Sequence, residues 1–362
     1  MDIVRRKCKV VKIADVPIGG RYPVAIQSMT KTRTSDVENT VKQINQLKDA
    51  GCQIVRLAIN DFEDAAALKR IKAKVKLPLV ADIHFNFRLA IAAIESGADK
   101  IRLNPGNIDK KQEIGEVVAA LKAAKIPLRI GLNSGSVKET GLKNSPMSDK
   151  LVFSCMSYIK IIERFKFNNI VISLKANNVL DTLDAYRKIS RACDYPLHLG
   201  LTATGSVYSG IIKSSVALGA LLLDGIGDTI RVSLTEKPVE EVRAAKCILE
   251  SLGLRSCGPQ VISCPTCGRC KVNLVGIVKE LEDKLSAAHY RPLPKPIKLA
   301  IMGCVVNGPG EAKEADIGVA FGIREGVLFK RGKIVRKITP GDCVRVVLDE
   351  LKTKEKTWLI KH

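Results

Sequence analysis

The sequence predicts an α/β fold, with a parallel (β/α)8 barrel of the TIM type followed by a small α+β domain. Short β-branched runs alternate eight times with amphipathic helical patterns over roughly the first 250 residues, which is typical of a closed parallel barrel. Gly258-Pro259 then interrupts the helical pattern, as a linker would. Beyond it the pattern changes to clustered cysteines and short strand-like runs. We therefore expect a barrel domain over residues 1–253, a linker over 254–259 and a second domain over 260–362.

The barrel strands are predicted from runs of mainly β-branched residues. A segment reading KVVKIADVPIGG comes before them and suggests a hairpin. The eight predicted strands are Val24–Gln27, Ile54–Leu57, Leu79–Asp82, Lys100–Leu103, Leu128–Leu132, Ile170–Ser173, Leu197–Leu201 and Thr229–Val232. Helical patterns follow them near 36–50, 62–75, 87–96, 110–124, 149–167, 178–192, 207–223 and 238–252, several with Asp or Asn at the expected cap.

The second domain is predicted to contain a small sheet and flanking helices. A helix is expected over 274–287, and a strand over Lys298–Met302 leads directly to Cys304. The glycines from Gly303 to Gly310 predict turns that let backbone amides approach a ligand closely. Further strand-like runs cover Ile317–Phe321, Gly326–Lys330 and Lys333–Ile338, with a closing helix near 342–352.

The net charge of +22 on this 362-residue chain raises the question of nucleic-acid binding. The lysines are spread without a long block, and aromatic residues make up only 4% of the chain, so few side chains could stack on bases. Solvated lysine-rich faces, with a few cations converging on an anionic small molecule, are the favoured interpretation. The eleven cysteines suit a reducing compartment. With no apolar run of 18 residues and no signal peptide, we expect a soluble cytoplasmic protein without a membrane partner.

Polar residues are frequent at the carboxyl ends of the predicted strands, where TIM barrels carry their chemistry. They are Ser28, Arg56, Asp82, His84, Arg102, Asn104, Arg129, Asn133, Lys175, His198, Thr202, Asp228 and Arg231. Cations on several strands predict a rim that binds a diphosphate, because arginine contacts phosphate in a bidentate manner and lysine supplies a point charge. His84 is the favoured catalytic histidine, while His198 also suits a core position. Asp82 and Asp228 could transfer protons or orient neighbours.

Cysteines dominate the stretch ISCPTCGRC, which contains Cys264, Cys267 and Cys270, and a fourth cysteine, Cys304, lies in MGCVVNGPGE with Glu311 seven residues later. The C-x2-C spacing across a Pro-Thr turn brings two sulfurs to one metal centre. Thiolates select zinc or iron-sulfur clusters. A zinc ribbon normally adds a second C-x2-C after about 15–20 residues. Here the next cysteine after that stretch is the lone Cys304, 37 positions after Cys267, so an iron-sulfur site is favoured and zinc is not excluded.

Eight segments closely resemble the 4-hydroxy-3-methylbut-2-enyl diphosphate synthase family, iron-sulfur enzymes of the bacterial non-mevalonate isoprenoid pathway. They are AIQSMTKTRTSD, ADIHFNFRLA, IRLNPGNI, RIGLNSGS, HLGLT, GIGDTIRVSL, ISCPTC and GCVVNGPGEA. The resemblance runs from about residue 18 to residue 325. It is more specific than any single spacing.

The resemblance implies a substrate-binding barrel joined to an iron-sulfur domain that holds one 4Fe-4S cluster. By motif, the cluster ligands would be Cys264, Cys267, Cys304 and Glu311. The implied reaction is the reductive opening and dehydroxylation of 2-C-methyl-D-erythritol 2,4-cyclodiphosphate, with two electrons from ferredoxin or flavodoxin. A head-to-tail homodimer would place the cluster of one subunit over the barrel of the other. Nucleic acid is not an expected partner.

Site roles are carried over residue by residue. The expected substrate-binding residues are Arg56, Arg102, Arg129, Lys175, Asn104, Asn133, Ser28, Thr202 and Arg231. The expected catalytic residues are Glu311, His84 and Asp82. A carboxylate is a harder and more readily displaced ligand than a thiolate, which gives Glu311 a reason to be both ligand and catalytic residue.

The chain departs from the family pattern at two positions. HLGLTATG places Ala203 where the family has glutamate, which removes a candidate acid, and Cys270 adds a thiolate that could compete with Glu311. Two other hypotheses remain open. One is a zinc-ribbon nucleic-acid-binding protein, suggested by the charge and the C-x2-C pair. The other is a pterin- or phosphosugar-binding barrel with a purely structural cluster.

Overall fold

The computed structural model describes residues 3–137, 142, 144–202, 204–256, 258–286 and 297–354. Ala203, the first departure from the family pattern, lies outside these residues. The chain divides into two compact units, Met1–Leu254 and Arg255–His362, and each is described by itself. Among the described helices, none combines the length and apolar character needed to cross a membrane.

The first unit is a parallel eight-stranded barrel surrounded by helices, so the predicted fold is confirmed. Its strands are β3 (Ala25–Met29), β4 (Ile54–Ala58), β5 (Leu79–Ile83), β6 (Lys100–Leu103), β7 (Leu128–Asn133), β8 (Ile170–Lys175), β9 (His198–Leu199) and β10 (Thr229–Ile230). The hydrogen-bonded order is β8-β7-β6-β5-β4-β3-β10-β9. A parallel bridge between Ile172 and Leu197 joins the two ends of this order and closes the barrel.

The helices alternate with the strands as predicted. They are α1 (Val37–Asp49), α2 (Phe62–Lys72), α3 (Phe87–Glu95), α4 (Lys111–Ala124), α5 (Met147–Arg164), α6 (Val179–Ala192), α7 (Val207–Leu223) and α8 (Pro238–Ser251), with a 3-10 turn at Ser134–Ser136. Side chains of Asp36, Asp61, Asn86 and Asn178 accept backbone N–H bonds at the starts of α1, α2, α3 and α6. Such caps satisfy backbone N–H donors that the helix itself leaves unpaired. They therefore fix the residue at which each strand-to-helix loop ends and the helix begins.

The amino-terminal end of the barrel is closed by apolar packing. The predicted hairpin forms from β1 (Val10–Ile13) and β2 (Val16–Gly19), which pair antiparallel. Its side chains Val11, Ile13 and Ile18 form one buried cluster with Ala25, Ile54, Val80 and Val171 from the barrel strands. Each fully buried aliphatic side chain contributes about 1.5–3 kcal/mol to stability. With this end filled, the polar inward-facing residues lie above it, toward the carboxyl ends of the strands.

The described residues of the second unit form a five-stranded mixed sheet with three helices. Its elements are β11 (Gln260–Ser263), α9 (Leu274–Ser286), β12 (Lys298–Met302), α10 (Gly308–Glu314), β13 (Ile317–Phe321), β14 (Gly326–Lys330), β15 (Lys333–Ile338) and α11 (Cys343–Lys354), with a 3-10 turn at Pro340–Asp342. The strands lie in chain order, parallel from β11 to β13 and antiparallel from β13 to β15. Buried residues such as Leu281, Leu299, Phe321 and Val347 form its core.

Two elements of this unit were not predicted. Strand β11 begins directly after the predicted linker and runs into the cysteine motif, where no strand was expected, because β12 offers it a parallel partner. Helix α10 forms where turns were expected. Its Pro309 is compatible with the first turn of a helix, and the residues after Gly310 are good helix formers. Gly308 lets this helix lie close to Met302 and Ala320, which a Cβ would approach to 3.0 and 3.2 Å.

Candidate active site

The carboxyl ends of the barrel strands surround a cavity of about 290 Å³. Of the described residues that line it, five are basic and one is a carboxylate, alongside a histidine and neutral side chains. The lining residues are Met29, Arg56, Asp82, His84, Arg102, Arg129, Asn133, Ser173, Lys175, Leu201, Thr202, Arg231 and Ser233. A concave surface with this excess of positive charge is suited to an anionic small molecule.

Arg102 is held by three contacts at the centre of this cavity. Its Nη1 donates to Oδ1 of Asp82 at 2.9 Å and lies 3.1 Å from Nε2 of His84, and its Nη2 donates to the Gly131 carbonyl oxygen at 2.7 Å. A planar guanidinium anchored on two sides has little freedom left, so its orientation toward a ligand is set in advance.

Gly131 is required for this placement of Arg102. A Cβ at Gly131 would lie 2.5 Å from the Arg102 Nε, closer than real contacts allow. We expect Gly131→Ala to displace the guanidinium at a cost of about 1–3 kcal/mol, which corresponds to a loss of roughly 5- to 150-fold in kcat/KM. Steady-state kinetics of the purified variant measures this loss. Gly135→Ala is the matched control, because nothing lies within 4 Å of its added Cβ. Equal activities of the two variants would contradict the prediction.

Asp82 is an ionised carboxylate rather than a proton donor. Burial raises the pKa of Asp82, but the adjacent Arg56 and Arg102 outweigh burial and hold it well below its ordinary value. Its Oδ2 lies 3.5 Å from Arg56 Nε and 3.6 Å from His84 Nε2. Asp82 therefore orients the neighbouring cations, which is one of the two roles that the sequence left open.

The remaining basic side chains of the cavity have few hydrogen-bond acceptors or opposite charges beside them among the described residues. Arg231 Nε lies 3.5 Å from Oε2 of Glu241, a buried residue of α8. Arg129 is almost fully buried, and its Nε and Nη1 have no hydrogen-bond partner among the described residues. Lys175 is also buried, and a Cβ at Gly200 would lie 2.7 Å from its Nζ. Buried donors without partners are costly, so an anion that accepted their hydrogen bonds would stabilise this arrangement.

Most of the predicted barrel residues meet in this cavity. Those that line it are Arg56, Asp82, His84, Arg102, Arg129, Asn133, Lys175, Thr202 and Arg231. Ser28 does not, since its buried hydroxyl donates to Glu241 Oε2 at 3.1 Å. Asn104 is not among the lining residues either, and its Oδ1 accepts from Gly106 N and Ser136 Oγ. The placement of Asp228 at a carboxyl end was wrong, because it precedes β10 and bonds Leu197 N and Arg5.

Alternation along the strands could have found the residues that sequence reasoning missed. Successive side chains point to opposite faces of a strand, so the positions two residues from a lining residue also face inward. Ser173 and Ser233 lie two positions from Lys175 and Arg231, and both line the cavity. The same rule separates Met29, which lines the cavity, from its neighbour Ser28. Local pattern contains no signal for Glu241, which comes from a helix.

The second unit brings three of its four motif cysteines to the ends of two parallel strands. Strand β11 pairs with β12 in a register that sets Ser263 beside Ile301, so Cys264 and Cys304 follow neighbouring strand ends. The N–H of Gly303 donates to the Cys264 Sγ at 3.3 Å. A Cβ at Gly303 would collide with the Cys270 Sγ, which donates to the Val272 carbonyl at 3.3 Å.

The donor set at these strand ends suits a thiolate-bound metal centre. Backbone N–H groups of Val306 and Asn307 lower the pKa of the Cys304 thiol, which favours the thiolate that binds metal. Cys264, Cys267 and Cys304 are free thiols, and Glu311 is exposed in the first turn of α10. Within the described residues, no three such groups are already gathered into a metal-binding arrangement. The residue types fit an iron-sulfur cluster.

Both units match one protein family. The GcpE TIM-barrel domain matches residues 8–246, and the GcpE protein C-terminal domain matches residues 260–353. The chain belongs to the GcpE family. The family predicted from the eight segments is thereby confirmed, and the matches extend beyond the stretch that those segments covered. Members of the GcpE family are metalloenzymes.

Curated relatives of this GcpE chain share about half of its residues. A 4-hydroxy-3-methylbut-2-en-1-yl diphosphate synthase (flavodoxin) from Fusobacterium nucleatum is 51% identical over 96% of this chain and 97% of the relative. Proteins of the same name from Clostridium perfringens and Geobacillus kaustophilus are 49% and 48% identical, over 96% and 99% of this chain and 99% and 96% of the relatives. Neither these relatives nor the matched domains support the nucleic-acid-binding alternative.

Solved structures of other enzymes share the barrel alone. Dihydropteroate synthase from Stenotrophomonas maltophilia aligns with a TM-score of 0.51 at 13% identity, covering 67% of this chain and 97% of that one. Type I 3-dehydroquinate dehydratase from Clostridium difficile aligns with a TM-score of 0.51 at 14% identity, covering 68% and 98%. At such identities the likeness concerns the fold, so it gives no weight to a pterin-binding role.

Proposed function

We propose that this GcpE-family chain converts 2-C-methyl-D-erythritol 2,4-cyclodiphosphate into 4-hydroxy-3-methylbut-2-enyl diphosphate. The observation that carries the proposal is the barrel cavity, in which five basic side chains surround one carboxylate at the carboxyl ends of the TIM-barrel strands. The relatives are named for the same product. In the balanced reaction the substrate gains two electrons and two protons, two C–O bonds break, a C=C bond forms and one water leaves.

The cavity residues bind and orient the diphosphate. Arg56 and Arg102 present guanidinium groups whose orientation is set by Asp82, so bidentate hydrogen bonds to phosphate oxygens need little further ordering. Arg129 and Lys175, which are buried in the lining of the same cavity, supply further donors. Negative charge builds up on the diphosphate as its ring opens, and these fixed cations stabilise it there.

His84 is the proposed proton-handling residue. Its side chain is about half exposed at 45%, and its Nε2 faces Arg102 Nη1 at 3.1 Å and Asp82 Oδ2 at 3.6 Å. Access to water lets this imidazole exchange protons with solvent, while the contacts with Arg102 and Asp82 fix its ring. Asn133 and Thr202 line the same cavity and supply neutral hydrogen bonds to the hydroxyl groups of the substrate.

The proposed cofactor is a 4Fe-4S cluster held by Cys264, Cys267, Cys304 and Glu311. When bound, such a cluster supplies electrons and a Lewis-acidic iron. The lowered pKa of Cys304 and the N–H bond to Cys264 support thiolate ligation. Glu311 makes no side-chain hydrogen bond or ion pair within the described part of the chain, so it is available as a fourth ligand.

Substitutions at the ligand positions separate Glu311 from Cys270. We expect Cys304→Ser to lose the cluster absorbance, because a hydroxyl binds iron poorly, and Cys270→Ser to retain it with activity within about threefold of the wild type. Glu311→Gln is expected to keep most of the iron but to lose about 100-fold or more in kcat. Mössbauer and electron paramagnetic resonance spectra of the three variants report the ligand set. A Cys270→Ser protein that loses one iron site would assign this thiol to the cluster instead.

Anaerobic purification followed by turnover tests the proposed function directly. The holoprotein should be coloured and paramagnetic when reduced, and it should convert the cyclodiphosphate with a chemical reductant or with reduced flavodoxin. Arg102→Met serves as the control, because it retains the cysteine motif and lacks the central cavity cation. A colourless protein that holds only zinc and does not turn over the cyclodiphosphate would refute the proposal.

We further propose an electron donor, a quaternary structure and a cellular location for this protein. Flavodoxin is the favoured donor because the relatives carry it in their names, and ferredoxin is the alternative. We propose a head-to-tail homodimer in which each barrel works with the cysteine unit of the partner subunit. Free thiols such as Cys52, Cys155 and Cys343 are consistent with a reducing compartment, and a cytoplasmic location is proposed on that ground.

A further inference from the structure

Lys100 is a buried lysine that none of the proposed binding steps uses. It opens strand β6, two residues before Arg102, so the two side chains share the inner face of the barrel. Arg102 lines the cavity, whereas Lys100 is fully buried beneath it. Its Nζ has no hydrogen-bond partner among the described residues. A buried lysine ammonium without a partner is among the most costly groups that a protein interior can contain.

The groups that face Lys100 discourage a charge on it. Arg56 on β4 and Arg129 on β7 contribute like charges, His198 on β9 and Lys175 on β8 lie within the same interior, and Asp82 on β5 is already engaged by Arg56 and Arg102. Burial and then the charges of Arg129 and Arg56 lower the pKa of Lys100 well below its ordinary value. An uncharged amine is the consistent state of this lysine when the cavity holds no anion.

We propose that Lys100 is a proton-accepting positioning residue, uncharged in the free protein, that takes one proton from solvent when a cyclic diphosphate binds above it. A dianion in the cavity would offset the charges of Arg56, Arg102 and Arg129, which removes much of the repulsion that disfavours an ammonium. The new charge would lie below the arginines and strengthen their hold on the phosphates. This inference rests on the proposed function, because it requires a diphosphate in the barrel.

The consequence is a coupling between pH and affinity. One proton taken up with each ligand means that the dissociation constant rises about tenfold for each pH unit above neutrality, until Lys175 imposes its own dependence. The cyclic diphosphate has one acidic oxygen on each phosphorus and stays a dianion throughout this range, so the proton does not go to the ligand. Lys100 touches no reacting atom, so its effect belongs in KM rather than in kcat.

Calorimetry of the holoenzyme with the cyclodiphosphate and no reductant tests the coupling. Titrations at pH 8 in two buffers of different ionisation enthalpy give the protons taken up per ligand bound. We expect the wild type to take up about one proton more than Lys100→Met, which has a side chain of similar length and no amine. Lys111→Met is the matched control, since it removes an exposed lysine from the start of α4. Equal uptake in wild type and Lys100→Met would overturn the inference.

His198 and Lys175 are the competing proton acceptors. Uptake by Lys175 would persist in Lys100→Met, and a second variant separates His198 from Lys100. The His198 Nδ1 lies 2.7 Å from Thr229 Oγ1, and its Nε2 is buried with no hydrogen-bond partner among the described residues. His198→Asn should leave the uptake unchanged. If the proton disappears in His198→Asn and persists in Lys100→Met, Lys100 is not the acceptor and the inference is overturned.

A measurement without ligand separates failure of this inference from failure of the proposed function. A lysine whose pKa is lower in the folded state destabilises the wild type as the pH falls below about 10, because only the unfolded chain binds the proton. Urea unfolding between pH 9 and pH 7 should show the folding equilibrium constant of the wild type falling about tenfold per pH unit relative to Lys100→Met. Parallel curves would show a charged Lys100 and overturn the inference. If the curves diverge but the cyclodiphosphate does not bind, the proposed function fails with the coupling that depends on it.

Discussion

Arg102→Met should lower kcat/KM for the cyclodiphosphate by about 10²–10³-fold, because this residue is the central cation of the barrel cavity. A hydrogen bond from a charged donor contributes about 1.5–3 kcal/mol, and a guanidinium that contacts phosphate in a bidentate manner makes two of them. Methionine keeps much of the side-chain volume, so the loss reports charge and hydrogen bonding rather than a cavity. Steady-state kinetics with a chemical reductant measures it.

Arg102→Lys is the matched variant for Arg102→Met. Lysine restores a positive charge but not the planar guanidinium that bonds both Asp82 and the Gly131 carbonyl. We therefore expect kcat/KM of Arg102→Lys to exceed that of Arg102→Met by no more than about tenfold. Binding of the cyclodiphosphate without reductant should weaken in parallel with kcat/KM. If Arg102→Met binds the ligand as tightly as the wild type does, Arg102 does not contact the diphosphate and the proposed site is wrong.

Arg102 and Asp82, which form one buried ion pair, make unequal contributions to the stability of the free protein. Removing a partner from a buried ion pair typically costs about 3–5 kcal/mol. Arg102→Met loses less than this, because it also relieves the repulsion from Arg56 and Arg129. Asp82→Asn should be the more destabilising change, since it removes the one carboxylate among five lining cations. The pKa of Asp82 is lower in the folded state, so its stabilisation is present at neutral pH and is lost only as the pH falls below about 4.

The barrel was predictable because its signal is local and repeated. Each strand is a short β-branched run, and each helix has an apolar face, so the alternation alone places the carboxyl ends and the residues beside them. Strands β9 and β10 are two residues each, shorter than their apolar runs indicate, since ladder pairing rather than hydrophobicity sets the ends of a strand. Ser28 shows the limit of this reasoning. It lies at the correct end of β3 but on the wrong face, where it bonds Glu241.

Long-range contacts account for the features that the sequence could not predict. The Arg102 guanidinium is fixed by Asp82 and by the Gly131 carbonyl, which belong to two other strands. Strand β11 exists because β12 lies beside it, although its own sequence did not predict a strand. The charge state of a group such as Lys100 depends on every cation that shares its interior. A sequence motif or a residue spacing contains no information on such contacts, strand pairings or charge states.

A head-to-tail homodimer predicts that two inactive variants restore each other. If each barrel works with the partner's cysteine unit, a heterodimer of Arg102→Met and Cys304→Ser contains one site in which both parts are intact and one in which both are defective. Two affinity tags allow this heterodimer to be purified. We expect about half of the wild-type activity, against 1% or less for either homodimer, which is a gain of roughly 50-fold or more without any new contact.

The alternative arrangement gives a clearly different result. If a barrel and a cysteine unit of the same chain form the site, every site in this heterodimer carries one defect, and the activity stays at the level of the homodimers. A heterodimer of Arg102→Met with Lys175→Met is the matched control, because both barrels are defective and neither arrangement restores it. A heterodimer of the wild type with Arg102→Met should keep about half of the activity in both arrangements, which shows that tagging and mixing preserve the protein. Activity in the heterodimer of Arg102→Met with Cys304→Ser, and not in the heterodimer of Arg102→Met with Lys175→Met, therefore requires that the two parts of each site come from different subunits.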